Sequence, residues 1–289
     1  MSNQVRFECC RVDERWLAAK QVSQEAIHQA VAAALAQARA PAAPHPRGER
    51  AVFPRAARKM RRCSGLAALG EEPVFLKLFI FSRLRDRLLL HCGISKAAKA
   101  YANALRLQEL GIPCATPRAL VKSRKPLTLT LVSEALQEGA TLGRRVAELF
   151  DGRPAADLSR DWRALTGQLA AFVARLHEQG IYHSDLHPKN LWVQDRAGGE
   201  ATFYLLDVEE ITFCGRISRP RRLANLLHLA RNFAKAAARA QLDGIPFAQQ
   251  WATAYQEAAG LPASAQLLAK VQAAACRGMQ LAREELARR

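Results

Sequence analysis

The chain has 289 residues with 49% hydrophobic and 24% charged residues, enough apolar material for two domains or two lobes and too ordinary a balance for global disorder. Its 43 Lys and Arg against 26 Asp and Glu leave a net charge of +17, which favours anionic partners: nucleic acid, an anionic membrane face or phosphorylated substrates. Aromatic content of only 7%, with no interleaved basic and aromatic platform, argues against nucleic acid.

The seven cysteines, Cys9, Cys10, Cys63, Cys92, Cys114, Cys214 and Cys276, form no C-x-x-C pair. Neither a disulfide framework nor a zinc site is expected, and a reducing cytoplasm fits. The N-terminus does not open with a basic segment and an apolar core, so no secretory signal is expected. No apolar run approaches the ~20 residues that span a bilayer, so any membrane association is expected to be peripheral.

In chain order, residues 13–40 read as one helix that becomes Ala-rich at VAAALAQARA, and PAAPHPRGER then reads as a linker. Val74–Phe81 (VFLKLFIF) has the composition of a strand. Ser95 is placed to cap a helix through KAAKAYANALRLQEL, which Gly111 ends. Strands are expected at 119–122 and 127–136, with a hairpin turn at SRKP. The second half reads as mainly helical. In DWRALTGQLAAFVARLHEQG the apolar residues Trp162, Leu165, Leu169, Phe172, Val173 and Leu176 share one face, and Gly180 ends the helix. A short strand at Leu191–Val193, a Gly198-Gly199 turn, the strand TFYLLDV and a nearly all-helical stretch from Arg221 complete the chain.

The segment that carries chemistry is His183-Ser184-Asp185-Leu186-His187-Pro188-Lys189-Asn190, an H-x-D-x-x-x-x-N pattern between a helix and a strand. Asp207 follows at the end of the next apolar strand. Phosphoryl transfer needs little more than positioning and charge neutralisation. A carboxylate orients the attacking hydroxyl and takes its proton. An amide oxygen and a second carboxylate hold Mg²⁺ on the phosphates of ATP. A strand lysine neutralises the nucleotide. Asp185, Asn190, Asp207 and Lys77 match these roles in order and on the right kind of element. Lys77 is the one charge in the apolar run VFLKLF, where a charge is costly without a task. A snorkelling edge-strand lysine is the competing reading for Lys77 alone. His183 reads as a loop organiser rather than a base, and His187 and Pro188 as loop-shaping residues.

The segments FLKLF, GISKAAKAYANALRLQELGIPCATPRAL, LVSEALQEGATL, GIYHSDLHPKNLWV and YLLDVEEI resemble the lipopolysaccharide core kinases that act on Kdo or heptose, a branch of the protein-kinase-like superfamily. The resemblance implies an α+β, bilobal, protein-kinase-like fold: an antiparallel N-lobe sheet with one main helix and a mostly helical C-lobe. The implied division is a helical extension and linker over 1–50, an N-lobe over 51–136 and a C-lobe over 137–289. It further implies that LVSEAL is a hinge contacting adenine, with Glu134 at its mouth. The implied acceptor is a sugar of the lipopolysaccharide core, reached at the cytoplasmic face of the inner membrane.

Three departures stand out. Ala100 falls where the helix glutamate that pairs with the strand lysine is expected, with Asn103 and Glu109 as nearby polar alternatives. Val208-Glu209 replaces the last two residues of the DFG tripeptide. The best candidate for a glycine-rich phosphate loop is RCSGLAALG, at 62–70. Basic clusters at 58–62, 83–87, Arg144-Arg145 and 219–222 suit an anionic glycolipid or solvated surface. Two other readings stay open: a kinase of another small molecule or a protein, and a nucleotide-binding pseudokinase.

Overall fold

The computed structural model describes residues 7–39, 62–81, 88, 90, 95–124, 127–196 and 198–288. The chain divides into two compact units between Gln137 and Glu138. The first carries β1 (Phe7–Val12), α1 (Glu14–Lys20), α2 (Gln24–Arg39), β2 (Arg62–Leu69), β3 (Glu72–Ile80), α3 (Lys96–Glu109), β4 (Pro117–Arg124) and β5 (Leu127–Glu134). Its five strands form one antiparallel sheet in the order β1-β4-β5-β3-β2.

One helix is expected over 13–40, and two form instead. Asp13 caps α1 by accepting from Trp16 N at 3.1 Å, and Gln21 ends it in the left-handed region at φ 52°. Ser23 then accepts from Ala26 N at 3.0 Å and starts α2. The buried stripe Ile27, Val31, Ala34 and Leu35 of α2 joins Val74, Leu76 and Leu78 of β3 in one apolar cluster. The region before β2 therefore helps to build the core, and β1 extends the sheet beside β4.

Period-two alternation along β3 buries Val74, Leu76 and Leu78 on one face, so Lys77 lies on the other. There Lys77 stands opposite Leu131, which stands opposite Leu120, which stands opposite Arg11. The Arg11 guanidinium lies 5.8 Å from the ring centre of Tyr101 on α3, so α3 covers this face. The α3 cap is as expected: Ser95 Oγ accepts from Ala98 N at 3.0 Å, and Gly111 follows the helix at φ 66°. The candidate phosphate loop 62–70 is mostly strand. Its residues pair with β3 through to Leu69–Glu72, and only Gly70 and Glu71 turn. The linker at 41–50, the basic clusters at 83–87 and most of 58–62, and the SRKP turn at Lys125-Pro126 lie outside the described residues.

The second unit carries β6 (Ala140–Thr141), α4 (Leu142–Phe150), α5 (Ala155–Glu178), β7 (Ile181–His183), β8 (Leu191–Asp195), β9 (Ala201–Leu205), β10 (Ile211–Phe213), α6 (Arg219–Arg239), α7 (Gly244–Ala258) and α8 (Ala265–Ala287). Trp162 of α5 is fully buried among Phe150, Phe233 and Phe247, and its Nε1 donates to Phe247 O at 3.2 Å. This aromatic cluster links α4, α5, α6 and α7. Two small antiparallel sheets sit on the helical body: β7 with β10, and β6-β8-β9. The loop 184–190 leaves the first and enters the second. Asp207 lies on the return path, between β9 and β10.

Candidate active site

The loop after β7 is fixed by its first residue. His183 is 1% exposed; its Nδ1 accepts from the backbone N–H of Asp185 at 3.2 Å and its Nε2 donates to Leu206 O at 3.0 Å. These partners assign the neutral tautomer with hydrogen on Nε2. Burial agrees, because it pushes the His183 pKa down. His183 thus organises the loop, and is not its base.

At the other end of the loop, Asn190 turns back onto the aspartate. Its Nδ2 donates to Asp185 O at 2.9 Å and reaches Asp185 Oδ2 at 3.4 Å. Asn190 O accepts from Leu206 N at 2.9 Å, and His183 Nε2 donates to Leu206 O, so the residue before Asp207 is bonded to both ends of the loop. Asp185, Asn190 and Asp207 are therefore brought together by backbone and side-chain bonds within one unit. His187 shapes the short helical turn Pro188–Asn190, its Nδ1 accepting from Lys189 N at 3.1 Å. Its Nε2 stands 3.5 Å from Asp185 Oδ2. The Asp185 side chain keeps 50% of its surface exposed, so its carboxylate is open to solvent.

Asp207 adopts φ 49°, ψ 45°, the left-handed region that costs a non-glycine residue strain and that Asp and Asn tolerate best. The bend starts the turn Val208–Glu210, and Ser184 N and Oγ bond to Glu210 O at 3.1 and 3.2 Å. Glu209 is buried at 2% exposure, while Asp207 is exposed. An exposed carboxylate and an amide whose nitrogen is already spent leave oxygen donors, which is the ligand chemistry of Mg²⁺ shared with a polyphosphate. Asn190 Oδ1 and Asp207 are the groups that would hold it.

Lys77 and Glu134 belong to the first unit. Lys77 is half-buried, with its ammonium 5.7 Å from the Phe79 ring centre. Glu134 ends β5; its carboxylate accepts from Arg118, which also donates to Asp13 at 2.5 Å. The buried face of α3 carries Ala97, Ala100, Asn103, Ala104 and Leu107, and the one acid of this helix, Glu109, is exposed at its end.

The sequence reading missed a buried polar chain behind the loop. Asn225 of α6 donates to His183 O at 2.8 Å, His177 Nε2 donates to Asn225 Oδ1 at 3.1 Å, and Tyr255 OH donates to His177 Nδ1 at 2.6 Å. Burial lowers the His177 pKa to about 4. The signal available was a histidine and an asparagine on the otherwise apolar faces of α5 and α6. His228 was also missed; its Nδ1 stands 3.9 Å from Asp185 Oδ1.

The profile of the lipopolysaccharide kinase (Kdo/WaaP) family matches residues 79–255, more than half of the chain and the whole of this loop system. The chain belongs to the lipopolysaccharide kinase (Kdo/WaaP) family. Membership makes it a phosphotransferase of lipopolysaccharide core synthesis. Among solved structures it is similar to WaaP in complex with acyl carrier protein, at TM-score 0.55 and 16% identity over 79% of this chain and 89% of that one. At that identity the likeness speaks for the fold, which is protein-kinase-like. More distant likenesses are the bifunctional kinase-methyltransferase WbdD, at TM-score 0.43 and 17% identity over 74% and 47% of the two chains, and the Mycobacterium tuberculosis PknI kinase domain, at TM-score 0.40 and 15% identity over 77% and 91%. No curated protein sequence matches the chain. Among the described residues, no helix is long and apolar enough to cross a membrane.

Proposed function

We propose that this family member transfers the terminal phosphoryl group of ATP to a sugar hydroxyl of the lipopolysaccharide inner core, on Kdo or heptose. Asp185 orients the hydroxyl and accepts its proton as the oxygen attacks. Asn190 and Asp207 hold Mg²⁺, which when bound neutralises charge on the phosphates. Lys77 supplies a second counter-charge to the nucleotide, and Glu134 with the backbone after it lies at the adenine. The observation that carries this reading is the bond from Asn190 Nδ2 to Asp185, made in a loop tied to the residue before Asp207.

A groove of about 1,240 Å³ in the second unit, lined by Arg216, Arg219, Arg222 and Lys270 together with Leu223 and Leu267, supports an acceptor that is anionic and in part apolar. It also supports peripheral contact with an anionic membrane face. The test is incubation with labelled ATP, Mg²⁺ and purified inner-core lipopolysaccharide. Label is expected in the sugar and absent with Asp185→Asn. Label found only in added protein acceptors would remove the sugar reading.

A second reading, a nucleotide-binding pseudokinase, is favoured by one observation: the one acid of α3, Glu109, lies exposed at the end of the helix and not on its buried face. Mg²⁺-dependent thermal stabilisation by ATP without any transfer to core sugars would support it.

A further inference from the structure

A second cavity opens against the catalytic loop, with a volume of about 240 Å³. Ser184, Asn225, His228, Arg231, Ala274 and Arg277 line it, and none of its lining residues is acidic. It is smaller than the ~300–1,000 Å³ of a pocket for a whole drug-sized ligand, so it suits one end of a larger molecule. His228 connects it to the chemistry, since the same ring faces Asp185 at 3.9 Å and packs edge-on against His187 at 5.6 Å. Ser184 connects it a second time, as the neighbour of Asp185 in the chain.

The fold places the two arginines together through Gly278. A Cβ there would stand 2.2 Å from Arg231 O, so only glycine lets α8 lie this close to α6. The neighbouring residue Arg277 then shares the cavity wall with Arg231. Like charges so placed repel unless something answers them. Farther along the same helix pair the problem is solved internally: Lys235 and Arg239 of α6 both bond Glu285 of α8. Among the described residues no carboxylate does this for Arg231 or Arg277. Guanidinium groups are forks suited to carboxylate and phosphate oxygens, and here they line a cavity whose wall includes His228, 3.9 Å from Asp185.

We infer that this cavity holds a fixed anionic group of the acceptor, a carboxylate or a phosphate on the sugar that presents its hydroxyl to Asp185, and so selects acidic over neutral sugars. The inference rests on the phosphotransfer reading for the role of Asp185. The anion is held in the cavity while the hydroxyl stays at the exposed edge of the carboxylate.

The test uses de-acylated inner-core oligosaccharide in three forms: intact, amidated at its carboxylates, and stripped of phosphate. Binding to the full chain is measured by calorimetry without ATP, and turnover is measured separately. Arg231→Met and Arg277→Met keep the aliphatic stems. Each is expected to weaken binding of the intact form ~10-fold or more and to raise KM more than it lowers kcat. One chemical removal should reproduce that loss in the parent protein and add little in the variants. Loss on amidation identifies a carboxylate, and loss on phosphate removal identifies a phosphate. If Arg231→Met does not fold, the exposed Arg277 carries the test alone. The inference is overturned if the intact form does not bind, if the variants bind it as the parent does, or if neither removal matters. Binding without ATP does not depend on transfer, so a failure of the kinase reading would show separately as bound acceptor that is never phosphorylated.

Discussion

His183 and Leu206, 23 positions apart in the chain, are joined by a 3.0 Å bond from the imidazole Nε2 to the carbonyl oxygen. The same ring accepts from Asp185 N, so one buried side chain positions both Asp185 and the residue before Asp207. Replacing His183 with Phe leaves two part-buried backbone groups without partners, at up to ~1–3 kcal/mol each. Chemical denaturation should show that loss, and turnover should fall further than the loss of folded protein explains.

Asp207 separates a backbone role from a charge role. Asp207→Asn retains a residue that tolerates φ 49° and removes the carboxylate. It should keep the parent Tm and lose Mg²⁺-dependent stabilisation by ATP. Asp207→Val is expected to cost a further ~1–3 kcal/mol, because a β-branched residue is strained in this region. Equal thermal stability of the two variants would show that the bend carries no strain.

Much of the fold is legible because short-range rules decide it. The alternation in β3, the Ser95 cap, the Gly111 stop and the face of α5 all sit where the sequence puts them. What was missed depends on contacts far apart in the chain. Gln21 breaks the first helical stretch, though nothing local forbids a glutamine from continuing a helix. The glycine-containing run 62–70 reads as a loop by composition, yet it is held as strand by pairing with β3. In the site, the H-x-D-x-x-x-x-N spacing reveals Asp185 and Asn190. His177 and Asn225 show in the sequence only as polar residues on apolar faces, and their connection through Tyr255 is not legible because the partners come from three different helices. His228 has no motif, and only the course of α6 past the loop brings it to Asp185.

The Tyr255–His177–Asn225 chain predicts acid sensitivity. The His177 pKa is about 4 in the folded protein against 6.5 for the free group, with burial as the main cause. The unfolded chain therefore binds this proton first as pH falls. The stabilisation is complete above about pH 6.5, is lost between there and about pH 4, and amounts to about 3 kcal/mol. Burial also lowers the pKa values of His183 and His228, which add to the slope in the same direction. Urea titrations across this window should show a shallower pH dependence in His177→Gln, together with lower stability at neutral pH. An unchanged slope would contradict the assignment.

Gly180 closes α5 at φ 71°, where a Cβ would meet Cys214 O at 1.9 Å. The two residues are bonded through Cys214 N to Gly180 O at 2.8 Å, which holds β10 beside β7. Gly180→Ala must open this contact and is expected to cost ~2–4 kcal/mol, combining a disfavoured φ with a backbone clash. Thermal unfolding measures it, and a change under 1 kcal/mol, about half the lower figure, would refute the close approach.

The most direct test of the central claim is mass spectrometry of lipopolysaccharide from cells lacking this chain, complemented with the parent or with Asp185→Asn. The account predicts that the inner core loses one phosphate in the deletion, regains it with the parent and does not regain it with Asp185→Asn. An inner core that is phosphorylated equally in all three strains would contradict it.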